Sequence, residues 1–546
     1  MFQQHPLDVN VKLLRRFYEP LTLLRVMDPT RGAQRPDLTL DRGLDEQSKF
    51  WRNFLDQLAF LCDFEKGGDT VTAVAVQRTV EYPIFSLASN SKSRTKAGAH
   101  LRWILASLGQ LHTTEKTAPQ VEDEMTNRCI EFSHRRIKVY SAWLVRAIRN
   151  ATRTIGDVGN AEDAFILREF QQLENLESTP HQLCSHAHAL RRSRFLEILT
   201  IRHVAHSHRG VWSDIRHYLG RLGSWSKAVR ILILGAATFP QRIENAQVEI
   251  IGTNGPADLP NKHHLTDLNG VVKRMVPIDQ TAMVAQLNQA LLEANAVAQV
   301  EDRFREEYAH IKPRPHAELL VLEYFHRNGL DFATDDRYIG CSKPSCYCCH
   351  IYMQCHPGRF APRPCHGNLW IHWAPPYPLP LADRGAPRNA VRPQGHHTFK
   401  MLQEMLISIR RDLQEQILSR RPKRARLPDS TTGMSSVVLD VDALLASAQN
   451  IGQSQDGHDY DGTNDLSGPA SVPNDFGSET TGDGALHEDI SKTEHDLNDK
   501  QEKKKSHDMQ HIEPEALSEG DDAGILLFWG RETLVSSETG SDIEHR

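Results

Sequence analysis

The chain has 546 residues, 39% of them hydrophobic, which supplies enough apolar material for two or three domains and excludes a wholly unstructured chain. Its net charge of −6 hides a division: from Leu427 onward there are 26 acidic against 7 basic residues, so residues 1–426 hold 57 basic against 44 acidic. No apolar run approaches the ~20 residues of a membrane span, residues 1–10 do not read as a secretory leader, and nine cysteines point to reduced thiols and metal rather than disulfides. The expectation is a soluble intracellular protein with a basic body and an acidic tail.

Residues 1–45 read as an N-terminal helical segment. A helix is predicted over 47–64, then two strands, 70–77 and 82–89, joined by a turn, with Asn90 closing the second. Residues 92–311 read mostly as helices, since 133–150, 163–176 and 181–202 carry apolar residues at i, i+3, i+4 spacing with charges between them. There is no internal repeat. Within this region residues 191–230 are strongly basic and hold His203, His206, His208, His217, Trp212, Tyr218 and Trp225. Cations interleaved with aromatics can track a nucleic-acid backbone and stack bases, and can equally form an amphipathic helical surface. A competing parse places the first strands of the core at 229–235 and 248–253, near Asn254.

The most informative segment is 315–349. It reads Pro-His-Ala-Glu, an apolar helix ending at Asn328-Gly329, a short strand over 337–340, and Cys-Ser-Lys-Pro-Ser-Cys-Tyr-Cys-Cys. Pro315 suits a first helical position, Gly329 a C-cap, and Ser345 can cap a second helix with Cys346 and Cys349 on one face of its first turn. Catalytic zinc takes three protein ligands and one open position, which His316, Cys346 and Cys349 supply. Glu318 is left as the proton carrier. The bland alternative is a structural zinc site or a metal-free core, because six cysteines between 341 and 365 lie among His350, His356, His366 and His372. Beyond these, Trp370, His372, Trp373 and Tyr377 fall in a predicted strand and Pro-rich loop, where Trp370 and Trp373 are candidates to stack on a base.

A further helix is predicted over 397–419, followed by a basic run at 420–426, a pattern that serves nuclear import or nucleic-acid contact. Residues 427–546 are rich in Ser, Gly, Asp and Thr and too poor in apolar residues to offset chain entropy, so they are expected to be disordered and to serve at most as a protein-docking tail. Residues 524–530 form an apolar island within it.

The H-x-E and C-x-x-C pair matches the zinc base-deaminase signature, with Ser345 standing between Pro344 and the first cysteine. Residues 338–352 with the upstream His-Ala-Glu resemble the nucleic-acid/nucleotide deaminase family found in many fungal proteins and related to bacterial toxin-type deaminases. The runs 54–64, 67–76 and 85–90 resemble the opening of such proteins. The resemblance implies an α/β fold with a cytidine-deaminase-like three-layer α/β/α core, opened at 46–91, interrupted by a helical insertion at 92–311 and completed by zinc-binding residues 312–385, with a C-terminal helix and basic run at 386–426. It also implies Zn2+ held by His316, Cys346 and Cys349, proton transfer by Glu318, a polar contact from Asn90 to substrate, and a nucleotide or nucleic-acid substrate. A catalytically silent scaffold and a nucleic-acid-binding regulator are the alternatives; an intact Glu318 favours the enzyme.

Overall fold

Apolar patterning decides the architecture, and the computed structural model shows it over residues 9–29, 42–90, 94–111, 116–155, 160–205, 209–252, 259, 266–377, 379 and 393–419. The basic run 420–426, the acidic tail, its island at 524–530 and Asn254 lie outside the described residues. The described part is mixed α/β and mostly helical. In chain order it runs α1 (Val9–Met27), α2 (Glu46–Cys62), β1 (Thr72–Gln77), β2 (Ile84–Ser89), α3 (Arg94–Gly109), α4 (Ala118–Phe132), α5 (His134–Ile155), α6 (Ala161–Asn175), α7 (Pro180–Leu190), α8 (Arg194–Ala205), α9 (Arg209–Leu222) and α10 (Ser224–Thr238). It continues with β3 (Gln247–Ile250), α11 (Leu268–Met275), α12 (Thr281–Ala298), α13 (Val300–Ala309), β4 (Arg314–Pro315), α14 (Ala317–Asn328), β5 (Gly340–Cys341), α15 (Tyr347–Cys355), β6 (Trp373–Ala374) and α16 (Pro393–Ser419). Among the described residues no helix is long and apolar enough to cross a membrane.

One sheet runs β3-β2-β1-β5. β1 pairs antiparallel with β2, Thr72 opposite Ser89, and with β5, Ala73 opposite Cys341; β3 adds parallel to β2. Side-chain alternation gives the sheet two different faces. Val74, Val76, Phe85 and Leu87 enter one core with α2, α3 and the helices up to α10. Ala73, Ala75 and Ala88 enter the other, with α1, α14, α15 and α16. Three alanines on that second face leave room for α14 to lie close to the sheet. On the first face, a Cβ at Gly340 would fall 2.5 Å from the backbone carbon of Leu55, so α2 and β5 touch backbone to side-chain position.

Several expectations shift. Residues 229–235, the competing first strand, lie in α10, whose turns are buried on almost every side; a short apolar run is ambiguous between strand and buried helix, and here the helix wins. Residues 248–253 do contribute a strand, as β3 beside β2. The single helix read over 181–202 is broken into α7 and α8, because the Ser193 hydroxyl accepts the Phe195 N–H at 3.2 Å and starts a new helix. The strand read at 337–340 is shorter and later, and Pro315 sits in strand β4, paired with Ala374, rather than in the helix. Trp212 and Trp225 are core residues, not stacking platforms.

Candidate metal centre and its setting

Two helix starts meet at one point. His316 is the N-cap of α14, its backbone extended because Pro315 is held in β4. Cys346, not Ser345, is the N-cap of α15, and Cys349 lies in that helix's first turn. Ser345 is instead paired backbone to backbone beside Cys365, its N–H donating to the Pro364 carbonyl at 2.8 Å. His316 Nδ1 lies 3.5 Å from Cys346 Sγ and 3.2 Å from Cys349 Sγ, and the three donor atoms all fall within 4.8 Å of one another. Bonds of ~2.05 Å to nitrogen and ~2.3 Å to sulfur at a tetrahedral angle separate the two atoms by about 3.6 Å. The spacing therefore fits the edges of a zinc tetrahedron.

Electrostatics agree. Burial pushes the Cys346 thiol up, but the hydrogen bond from Cys349 and the neighbouring His316 outweigh it and bring it down to about 5. Burial lowers His316, and the Cys346 thiolate more than reverses this, so its pKa is raised. Burial and the Cys346 charge push Cys349 well up. One thiolate beside a basic imidazole, at two positive helix ends, is a site prepared for a cation's ligands. Glu318 is 3% exposed, in the first turn of α14 and within hydrogen-bonding reach of Cys349. Cys348 is fully buried and is not part of the group formed by His316, Cys346 and Cys349.

Asn90 is half-buried and makes two hydrogen bonds within the protein. Its Oδ1 accepts the N–H of Ala317, between His316 and Glu318, at 2.7 Å, and its Nδ2 donates to the Gly68 carbonyl at 2.8 Å. The residue caps α14 and fixes the loop at 65–69 to it. Trp373 corrects the sequence reading: it is fully buried, its ring tilted on Phe17 and Tyr352 at 5.7 and 6.0 Å, with no face open to a base. Trp370 is half-buried against the second core.

Sequence reasoning missed the frame behind the cysteines. Arg363, 2% exposed, donates to the Ile339 carbonyl, to the Lys343 carbonyl at 3.2 Å and to Asp56 Oδ1 at 3.2 Å. Asp56 also accepts the Cys341 N–H at 2.9 Å and the Tyr338 hydroxyl at 2.8 Å. Burial raises the Asp56 pKa despite these donors. The available signal was an aspartate in the apolar run Phe54-Leu-Asp-Gln-Leu-Ala-Phe, since a lone buried acid requires partners.

A second group, Glu323, His356 and His397, also has metal-like composition. Glu323 Oε1 receives the Tyr352 hydroxyl at 2.5 Å, His356 Nε2 at 3.2 Å and His397 Nε2 at 3.1 Å, while Oε2 takes Arg327 Nε at 3.1 Å. His356 Nδ1 accepts the Gly358 N–H at 3.0 Å. That places the neutral ring's proton on Nε2, where it is a donor to Glu323 and not a metal ligand. The group is a hydrogen-bonded clamp joining α14, the end of α15 and α16.

An H-x-E helix start facing a C-x-x-C helix start is the donor arrangement of zinc deaminases. In agreement, the family model of the OTT_1508-like deaminases matches residues 315–377, the stretch from β4 past β6. No curated protein and no solved structure matches the chain.

Proposed function

We propose that the protein is a zinc-dependent hydrolytic deaminase acting on a base in a nucleotide or nucleic acid, built on a cytidine-deaminase-like core. The carrying observation is the convergence of His316, Cys346 and Cys349 at zinc-like spacing with Glu318 buried beside them. The three residues would hold the ion, and bound zinc would supply a water acidic enough to lose its proton near neutral pH. Glu318 takes that proton and delivers it to the ring nitrogen of the base; it then takes the remaining proton from the hydroxyl now on the ring carbon and passes it to the departing amine. The oxygen of water bonds to the amino-bearing ring carbon, the C–N bond breaks, and ammonia leaves. Asn90, through the Ala317 N–H, holds the turn that aims both His316 and Glu318. The excess of basic residues in 1–426 supports a phosphate-bearing substrate. Residues 420–426 are proposed as a nuclear import signal and the acidic tail as a protein-docking segment; deleting 420–426 from a tagged chain should shift it to the cytoplasm.

The test is ammonia release from a panel of nucleosides, nucleotides and oligonucleotides. Glu318→Gln keeps size and hydrogen bonding but cannot carry the proton, so zinc content should stay normal while activity falls by at least ~10²-fold. Wild-type protein that deaminates nothing on the panel, or a fully active Glu318→Gln, refutes the enzyme.

A further inference from the structure

α5 carries six arginine and lysine residues and no aspartate or glutamate. It packs along α9, which has three arginines against one aspartate. Some of the α5 charges are matched: Arg135 pairs with Glu65 at 3.1 Å, Arg136 with Asp63 at 3.6 Å and Arg149 with Glu174 at 3.1 Å. Lys138 and Arg146 are exposed and make no ion pair among the described residues. Arg146 stands about two turns beyond Lys138, and half-buried Trp143 is the i, i+3 neighbour of Arg146.

The aromatic surface continues from there in both directions. The Trp143 and Tyr218 rings are 5.6 Å apart, and Lys66 Nζ lies 5.4 Å from the Trp143 centroid. Lys66 belongs to the same 65–69 loop that accepts Asn90 at Gly68 and Lys343 at Gly67, so this surface begins at the rim of the metal centre. One turn beyond Tyr218 is Arg221, which faces Arg191. Gly223 lets Arg191 lie close, since a Cβ there would meet its side chain at 2.9 Å. Arg191 and Lys227 are half-buried and make no ion pair among the described residues. Burial, and then the Arg191 and Arg192 charges, bring Lys227 down to about 8. Cations held together out of water destabilise the protein until an anion joins them.

We propose that this face, from Lys66 over Lys138, Trp143, Arg146 and Tyr218 to Arg221, binds single-stranded nucleic acid, with phosphates on the cations and bases stacked on the two aromatics. The identity of the ligand rests on the deaminase reading: a base must leave its duplex stack to reach a buried metal centre, and a strand-wide grip delivers it. Charge without aromatics would suit any polyanion; the Trp143–Tyr218 pair, reached from the 65–69 loop through Lys66, selects bases.

The experiment uses the zinc-loaded full chain carrying Glu318→Gln, so that nothing turns over, and measures fluorescence anisotropy of labelled single-stranded DNA, single-stranded RNA and duplex DNA across salt. Single strands should bind more tightly than duplex. Lys138→Glu with Arg146→Glu should weaken binding at least about tenfold and flatten the slope of log affinity against log salt by about 1.4, the value for two single-strand phosphates. Trp143→Leu should weaken it roughly tenfold with the slope unchanged. Unchanged binding in both variants with normal circular dichroism, or tighter binding of duplex, overturns the proposal. Ammonia release from free nucleosides by wild-type protein separates the two claims. Release without strand binding removes the face and keeps the enzyme, and strand binding lost in the variants without any release does the reverse.

Discussion

Glu323 is 1% exposed at its side chain and gathers four donors from α14, α15, the residue after α15, and α16. Glu323→Gln keeps the volume but replaces an acceptor by an amide whose N–H2 must face one donor group or another. Removing one partner from a buried charged network costs ~3–5 kcal/mol because the remaining charge, here Arg327, loses its counterion. For a body of this size that corresponds to a melting temperature lower by about 4–7 °C, read by scanning calorimetry on zinc-loaded protein. Zinc content should remain at about one per chain, since His356 presents a proton and not a lone pair. The pH dependence has a definite sign. Burial opposes ionisation of Glu323, but His356, His397 and Tyr352 more than reverse this and hold its carboxyl below the usual range. A depressed carboxyl contributes stability that is present above its unfolded pKa of ~4.3 and is lost as pH falls below that. The gap between wild type and Glu323→Gln should therefore be constant from neutral pH to about 5 and narrow below about 4. An unchanged melting temperature, or loss of one of two zinc equivalents in the variant, would refute the clamp.

Two further outcomes test the metal centre. His316→Ala or Cys346→Ala should lose bound zinc by atomic absorption, whereas Cys348→Ser, outside the donor group, should retain it; zinc retained in all three would reject the ligand set. Asn90→Ala removes the cap on Ala317 and should lower stability by ~1 kcal/mol and zinc affinity by about tenfold or more, measured by chelator competition, without changing the number of sites.

The local grouping was legible in the sequence. His316, Cys346 and Cys349 come together as their spacing on two helix starts suggests, with Glu318 in the first turn of one of them, and Gly329 ends α14 in the left-handed conformation expected of a C-cap. The hairpin of β1 and β2 was legible too, from two alternating runs with a turn between them. What could not be read were facts decided at a distance. Trp373 and Trp370 look alike in sequence, yet Trp373 is fully buried, against Phe17 of α1, while Trp370 is half-buried. Arg363 looks like one more cation of a basic body until the fold brings it to Asp56, 307 residues earlier. The boundaries of α15 moved by one residue because Ser345 was claimed by the strap at 364–366, a partner that helix-capping rules do not see.

Residues 315–377 bear every proposed ligand, but they do not supply the surfaces that hold those ligands in place. α14 rests on Ala73, Ala75 and Ala88; its first free N–H is capped by Asn90; β5 has β1 as its sheet partner; and the cysteine loop is tied through Arg363 to Asp56 of α2. The unit that must be intact for the site therefore reaches back to α2. The helices between β2 and β3 interrupt that unit at modest thermodynamic cost, because loop closure grows only by ~0.6 kcal/mol per doubling of loop length. Those helices also bury their own core: Tyr140, Leu144 and Ile148 of α5 join Trp212, Ile215 and Leu219 of α9 in the same cluster that takes Phe54 and Leu58 of α2. The helical region is thus a brace on the back of α2 as well as a surface. A body that must be there to support α2 can acquire cations and aromatics on its outer side without disturbing the metal centre, and α5, with no acidic residue in 22, has done so.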